Sequence, residues 1–333
     1  MTHHDVVLVG VDGSPASLVA LDWAGAYAKA HGSALHLVCA YSVPSFTAAA
    51  LDGGYAALDD TAIAAGARAV LDEALARVAP LGLPATSAVA TGDAAAVLVE
   101  LSREASLAVV GTRGRGGFAE RLLGTVSSAL PAHAHCPTVV VPYRRHDRTG
   151  AGAGGAPAQA PAAAGAPAET GAEPAGAVPV RRIVVGVDGS PSAEVALERA
   201  IREAEIWHAE LTAFTAVPIG TTTSFLAWLP SAIDHEAVLH DVGAGLDVVV
   251  ERALVDHPDV QVRRHVLDGT AAQLLTEFSE AVDLVVVGSR GRGGFAGLLL
   301  GSTSQGVLHH ASCPVMVVTT KARDEETWGG GPA

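Results

Sequence analysis

The chain is written twice. Val9-Gly10-Val11-Asp12-Gly13-Ser14-Pro15 returns as Val185-Gly186-Val187-Asp188-Gly189-Ser190-Pro191. Gly111-Thr112-Arg113-Gly114-Arg115-Gly116-Gly117-Phe118-Ala119 returns as Gly288-Ser289-Arg290-Gly291-Arg292-Gly293-Gly294-Phe295-Ala296. Cys136-Pro137 and Cys313-Pro314 form a third pair, and the offset is 176 residues for the first pair and 177 for the others. Repeats this long are domains rather than solenoid units, so whatever one half folds into the other must fold into as well. The predicted organisation is a first domain over residues 4–146, a linker over 147–179, a second domain over 180–322 and a tail over 323–333. From about Gly150 to Val178 the linker is almost all Ala, Gly, Pro, Glu and Thr. That composition has no large apolar side chains to offset the entropy of ordering and predicts a disordered tether.

Within each half, short apolar runs alternate with helix-like segments, the pattern of a parallel sheet covered by helices. In the first half the strands are predicted at Val6–Gly10, Ala34–Ala40, Ala85–Ala90, Leu107–Gly111 and Thr138–Val141. The helices are predicted from Pro15 to about Ala30, over Asp59–Val78 and Asp93–Glu104, and from about Thr125 to His133. Ser14 supplies an N-cap hydroxyl and Pro15 suits the first helical position. The second half repeats the order from Ile183 to Val318. The expected fold is therefore α/β: two tandem open, mostly parallel five-stranded sheets, Rossmann-like and flanked by helices.

The glycine cluster at the end of the fourth strand carries the chemistry. Glycines there let backbone amides approach an anion without obstruction by a Cβ. The full pattern is Gly111-x-x-Gly114, nine residues, then Gly124-Thr125, and again Gly288-x-x-Gly291, nine residues, then Gly301-Ser302. The later glycine opens a helix whose N-terminal amides and dipole favour negative charge. In open parallel sheets ligands bind at the carboxyl ends of strands where the strand order reverses. That places a phosphate-bearing ligand between the first and fourth strands, beside Gly10 and Asp12 in one half and Gly186 and Asp188 in the other.

On these motifs the chain resembles the universal stress protein family, in its ATP-binding branch, over both halves and everything except linker and tail. The resemblance implies two ATP sites per chain, and Mg2+ can accompany the nucleotide. Asp12 and Asp188 would contact the ribose; Thr125 with Ser127, and Ser302 with Thr303 and Ser304, would meet phosphate. Backbone at Ala40 and Ala216 would border adenine, and the loops Gly111–Gly117 and Gly288–Gly294 would wrap the phosphates. Val126 stands where the second half has Thr303. The family pairs its domains back to back through the final strand, which implies an internal pseudo-dimer through Val139–Val141 and Val315–Val318. A further homodimer is compatible with the sequence. The family role is regulatory, through a protein partner that the sequence does not name.

Other readings of the same residues fit less well. Gly114-x-Gly116-x-x-Ala119 and Gly291-x-Gly293-x-x-Ala296 satisfy a dinucleotide fingerprint, but that fingerprint belongs to the first strand-to-helix turn with an acidic residue about 20 positions on. A phosphotransferase would carry a loop lysine or comparable charge neutralisation. The only lysines are Lys29 and Lys321, and neither is in a glycine loop. The sites therefore look like holders of ATP rather than engines that spend it, and an enzyme is not expected. His133-Ala134-His135-Cys136 becomes His310-Ala311-Ser312-Cys313 in the second copy, so no metal-ligand set is repeated.

A formal charge of −14 disfavours nucleic acid and anionic membranes as partners. Three cysteines without CxxC spacing suit a reducing, cytoplasmic setting. No secretory leader pattern and no apolar run of spanning length is present, so neither secretion nor a membrane span is expected.

Overall fold

A computed structural model describes residues 6–42, 60–114, 123–143, 179–218, 235–292 and 299–320. The segment expected to be the linker lies outside these residues except for Pro179, and the expected tail lies wholly outside them. The first half runs β1 (Val6–Gly10), α1 (Pro15–His31), β2 (Ala34–Tyr41), α2 (Asp60–Val78), β3 (Ala85–Thr91), α3 (Ala94–Leu101), β4 (Leu107–Gly111), α4 (Thr125–His133) and β5 (Thr138–Val141). The second runs β6 (Arg182–Gly186), α5 (Pro191–Trp207), β7 (Glu210–Val217), α6 (His235–Ala253), β8 (Val262–Asp268), α7 (Ala271–Phe278), β9 (Leu284–Gly288), α8 (Ser302–His310) and β10 (Val315–Val318).

Local chemistry sets the boundaries. The Ser14 side chain accepts from Ser17 N, Pro15 opens α1, and Gly32 in the left-handed region (φ 66°) ends it. The third helix is shorter than its sequence pattern suggests. It stops at Leu101 and tightens into a 3₁₀ turn over Ser102–Glu104. Buried Ser102 explains the change: its hydroxyl donates to Val99 O at 2.6 Å and accepts from His135 N at 2.9 Å. Ser279 repeats the arrangement, donating to Thr276 O and accepting from Ser312 N.

The two expected sheets are halves of one. The strand order is β3-β2-β1-β4-β5-β10-β9-β6-β7-β8. Pairings inside each half are parallel, and β5 and β10 join antiparallel, with Val139 opposite Met316. The reason is the edge. β5 and β10 are short, fully buried strands, and each would otherwise leave a row of backbone donors and acceptors unpaired in an apolar setting.

Helices cover both faces. Residues of α1, α2, α5 and α6 pack with Val7, Val9, Val139 and Met316 into one continuous core, and residues of α3, α4, α7 and α8 pack with Leu8, Val140, Val315 and Val317 into another. Burial on both sides explains why β4, β9 and β10 read as unbroken apolar runs, and β5 as three valines after buried Thr138, rather than as alternating patterns. Among the described residues no helix is long and apolar enough to cross a membrane.

Both cores run through the β5–β10 seam, so damage there should be shared. Met316→Ala removes a side chain with 0% exposure, at an expected cost of roughly 2–5 kcal/mol. Urea unfolding should show one transition at a lower midpoint for both halves, and a loss confined to the second half would contradict the shared core.

Candidate functional site

The site begins where β1 ends. Val11 N still donates to Val38 O at 2.9 Å, after which the chain leaves the sheet. Gly13 (φ 74°) lets it turn, and Asp12 Oδ1 accepts from Ser14 N at 2.9 Å. Asp188 does the same with Ser190 N, across Gly189 (φ 73°). A carboxylate is thereby fixed at the mouth of the sheet just before α1 in one half and α5 in the other.

The loop after β4 folds onto that carboxylate, and its glycines are required by close approach. A Cβ on Gly111 would sit 2.6 Å from Ala16 O, and one on Gly288 would sit 2.7 Å from Ser192 Oγ and 2.8 Å from its backbone. A Cβ on Gly114 would strike Asp12 Oδ2, and one on Gly291 would lie 2.6 Å from Asp188 Oδ2. In the second half Asp188 Oδ2 also accepts from Arg292 N at 3.0 Å. The N-cap serines add a second tie: Ser14 Oγ donates to Arg113 O at 3.4 Å and Ser190 Oγ to Arg290 O at 3.3 Å. Ser192 Oγ also bonds Arg290 O.

The nine-residue excursion is pinched at its base. Gly124 N donates to Thr112 O at 2.9 Å and Gly301 N to Ser289 O at 2.8 Å. The hydroxyls of Ser127 and Ser304, expected to meet phosphate, reinforce that closure. Ser127 Oγ reaches Thr112 O and Gly124 O, and Ser304 Oγ reaches Ser289 O and Gly301 O. With their hydrogens engaged by loop carbonyls and 1–2% exposure, these serines brace the loop. Neither α4 nor α8 has a side-chain cap, because Gly124 and Gly301 hold the N-cap positions. Their first-turn amides thus remain donors for an anion.

These parts surround one cavity in each half, of about 570 Å³ in the first and about 400 Å³ in the second, within the usual range for small-molecule sites. Gly10, Asp12, Ala40, Gly111, Arg113, Gly114, Gly124, Thr125 and Ser127 line the first. Gly186, Asp188, Ala216, Gly288, Arg290, Gly291, Arg292, Gly301, Ser302, Thr303 and Ser304 line the second. Thr112 and Ser289 do not reach the cavities and serve the base of the loop through their carbonyls. Arg115, Gly116, Gly117, Gly293 and Gly294 lie outside the described residues. The strand order places both cavities where it reverses, between β1 and β4 and between β6 and β9. Since the halves join antiparallel, the carboxyl ends of their strands point opposite ways and the two sites open at opposite strand ends of the common sheet.

Sequence reasoning missed the apolar floor: Val38, Leu98 and Val110 in the first half, Phe214, Leu275 and Val287 in the second. These are matched positions of the repeat at strand ends and on the helix after β3, and that matching was the available signal. The floor also differs between halves. Phe214 stands where the first half has Val38, and Thr303 where it has Val126.

The model of the universal stress protein family matches residues 3–142 and again residues 179–319. The chain belongs to the universal stress protein family. A universal stress protein of Mycobacterium tuberculosis strain H37Rv is 34% identical over 324 residues, covering 93% of this chain and 95% of that one. One of Mycolicibacterium smegmatis is 33% identical over 329 residues, covering 94% and 96%. Among solved structures, a universal stress protein from Archaeoglobus fulgidus superposes with a TM-score of 0.62 at 20% identity, covering 95% of this chain and 98% of that one. That likeness extends over both halves, so the tandem arrangement is shared.

Close approach makes a measurable distinction among this universal stress protein's glycines. Gly111→Ala forces backbone apart and should cost roughly 1–3 kcal/mol. Gly66→Ala, in α2 with nothing within 4 Å of the new Cβ, should be stabilising by about 0.5–1 kcal/mol. Chemical denaturation of the two variants checks both signs.

Proposed function

We propose that this universal stress protein binds ATP in both halves, two nucleotides per chain, and acts as a nucleotide-dependent regulator of a stress response through a protein partner. The observation that carries the reading is convergence. In each half a fixed carboxylate, a glycine loop closed against it and an uncapped helix N-terminus face the same cavity.

The residues present fit the nucleotide. The amides opening α4 and α8 would receive phosphate oxygens, with the hydroxyls of Thr125, Ser302 and Thr303 beside them. Asp12 and Asp188 would accept from ribose hydroxyls. The apolar floor, bordered by Ala40 and Ala216, would take the base. Arg113, Arg290 and Arg292 border the cavities and supply cationic charge, and Mg2+ would accompany the phosphates. Among the described residues no lysine or activated base lines the phosphate end, and this supports a holder rather than a phosphoryl-transfer enzyme. Three buried thiols suit a reducing cytoplasm.

Binding should raise thermal stability. At a hundredfold excess over Kd each filled site adds about 2.7 kcal/mol, seen as a rise in Tm with ATP. Asp12→Asn with Asp188→Asn should remove most of that rise and lower the ligand-free Tm only modestly, since the Asn oxygens keep the bonds from Ser14 N and Ser190 N while Arg292 N loses its acceptor. No ATP-dependent shift in the wild-type chain would sink the reading. Steady-state ADP release should stay below about 1 s⁻¹, the low end of ordinary enzymes, and faster turnover would make the protein an ATPase.

A further inference from the structure

Helices α1 and α5 meet beside the β5–β10 seam, and the residues at their contact occupy equal positions of the repeat. At the offset of 176, Tyr27 corresponds to Glu203, Trp23 to Arg199 and His31 to Trp207. The Tyr27 hydroxyl donates to Glu203 Oε1 at 2.9 Å, so a residue meets its own counterpart. Val139 and Met316, counterparts at the offset of 177, also face each other in the seam. Two such self-meetings place both contacts on the pseudo-twofold axis relating the halves.

In a symmetric dimer a residue on the axis meets an identical residue. Here the chemistry across the axis is unlike and complementary. Arg199 Nε donates to Glu203 Oε1 at 2.9 Å and its other end reaches the Tyr27 hydroxyl. Trp207 Nε1 donates to Glu203 Oε2 at 3.2 Å, and His31 Nε2 lies 3.1 Å from the same oxygen. The His31 ring stacks on Tyr27 with centroids 3.7 Å apart, and its Nδ1–H donates to Tyr27 O. Glu203 is 1% exposed and Tyr27 2%. Burial pushes the Glu203 carboxyl up, but the Arg199 charge, the neighbouring His31 ring and the hydrogen bond from Tyr27 outweigh it and hold it below the ordinary carboxylate range.

Each half therefore lacks what it would need to pair with a copy of itself. Two second halves would set Glu203 against Glu203 in the same buried space, each keeping its own Arg199 and Trp207 but losing the Tyr27 hydroxyl that now donates across the axis. Two first halves would set Tyr27 against Tyr27, with no carboxylate to accept from either hydroxyl or to face His31. We propose that this axial cluster is a pairing code: it selects a second half as the partner of a first half and excludes the like-with-like pairings that the shared fold would otherwise permit.

The intact chain can carry each disfavoured axis. The set Trp23→Arg, Tyr27→Glu and His31→Trp builds the axis of two second halves. The set Arg199→Trp, Glu203→Tyr and Trp207→His builds that of two first halves. All six together remake the present cluster with the halves exchanged. In urea unfolding the first set should lower the folding equilibrium constant by roughly a hundredfold or more, the cost of two like carboxylates buried side by side with the Tyr27 donor lost. The second set should lower it less, and the sixfold exchange should regain at least about tenfold over the first set. If the first set fails to fold, a folded exchange variant is the same rescue. Losses that simply add, or an exchange variant that does not fold, overturn the proposal.

Discussion

The site depends on the reversal of strand order between β1 and β4. Neighbouring strands there send their following segments to opposite faces, α1 to one and the glycine loop with α4 to the other. Among the described residues, the gap left between them has backbone on both sides and no covering helix. Asp12, held by the turn before α1, comes from one side, and Gly114 arrives from the other at a distance no side chain tolerates. The same constraint acts at β6 and β9 with Asp188 and Gly291. Chain connectivity places a carboxylate against a glycine loop before any ligand is considered.

Much of this was legible in the sequence because it rests on local chemistry. Ser14 and Pro15 suit a helix start, and the short apolar runs Leu107–Gly111 and Thr138–Val141 read as buried strands. Duplication turned weak motifs into strong ones, since the spacing from Gly111 to Gly124 recurs from Gly288 to Gly301. What stayed hidden was long-range. Nothing local to Ser127 says that its hydroxyl closes the loop on Thr112 O, and nothing local to Gly114 says that its neighbour is Asp12. The apolar floor was missed for the same reason. Val38 and Phe214 read as core, and only the fold opens that core to a cavity.

The seam follows from a second constraint, the unpaired edge. β5 and β10 have four residues each and no free backbone to spare, so they complete one another and merge two sheets into one. Backbone pairing alone does not distinguish one half from the other. The side chains do, because duplication followed by divergence left Tyr27 and Glu203 at one position of the repeat. The floors diverged too, with Phe214 for Val38. The result is a universal stress protein with a symmetric frame, an asymmetric axis and two unlike sites at opposite strand ends of the sheet.

The central claim is that both cavities are built for one nucleotide each. Its most direct test is mass analysis of what heat-denatured protein releases, after purification and incubation with ATP followed by removal of free ligand. Intact ATP approaching two molecules per chain is the expected result, falling by half when either Gly114 or Gly291 is replaced by valine. Release of no nucleotide from the wild-type chain, or the same amount from both valine variants as from wild type, would contradict it.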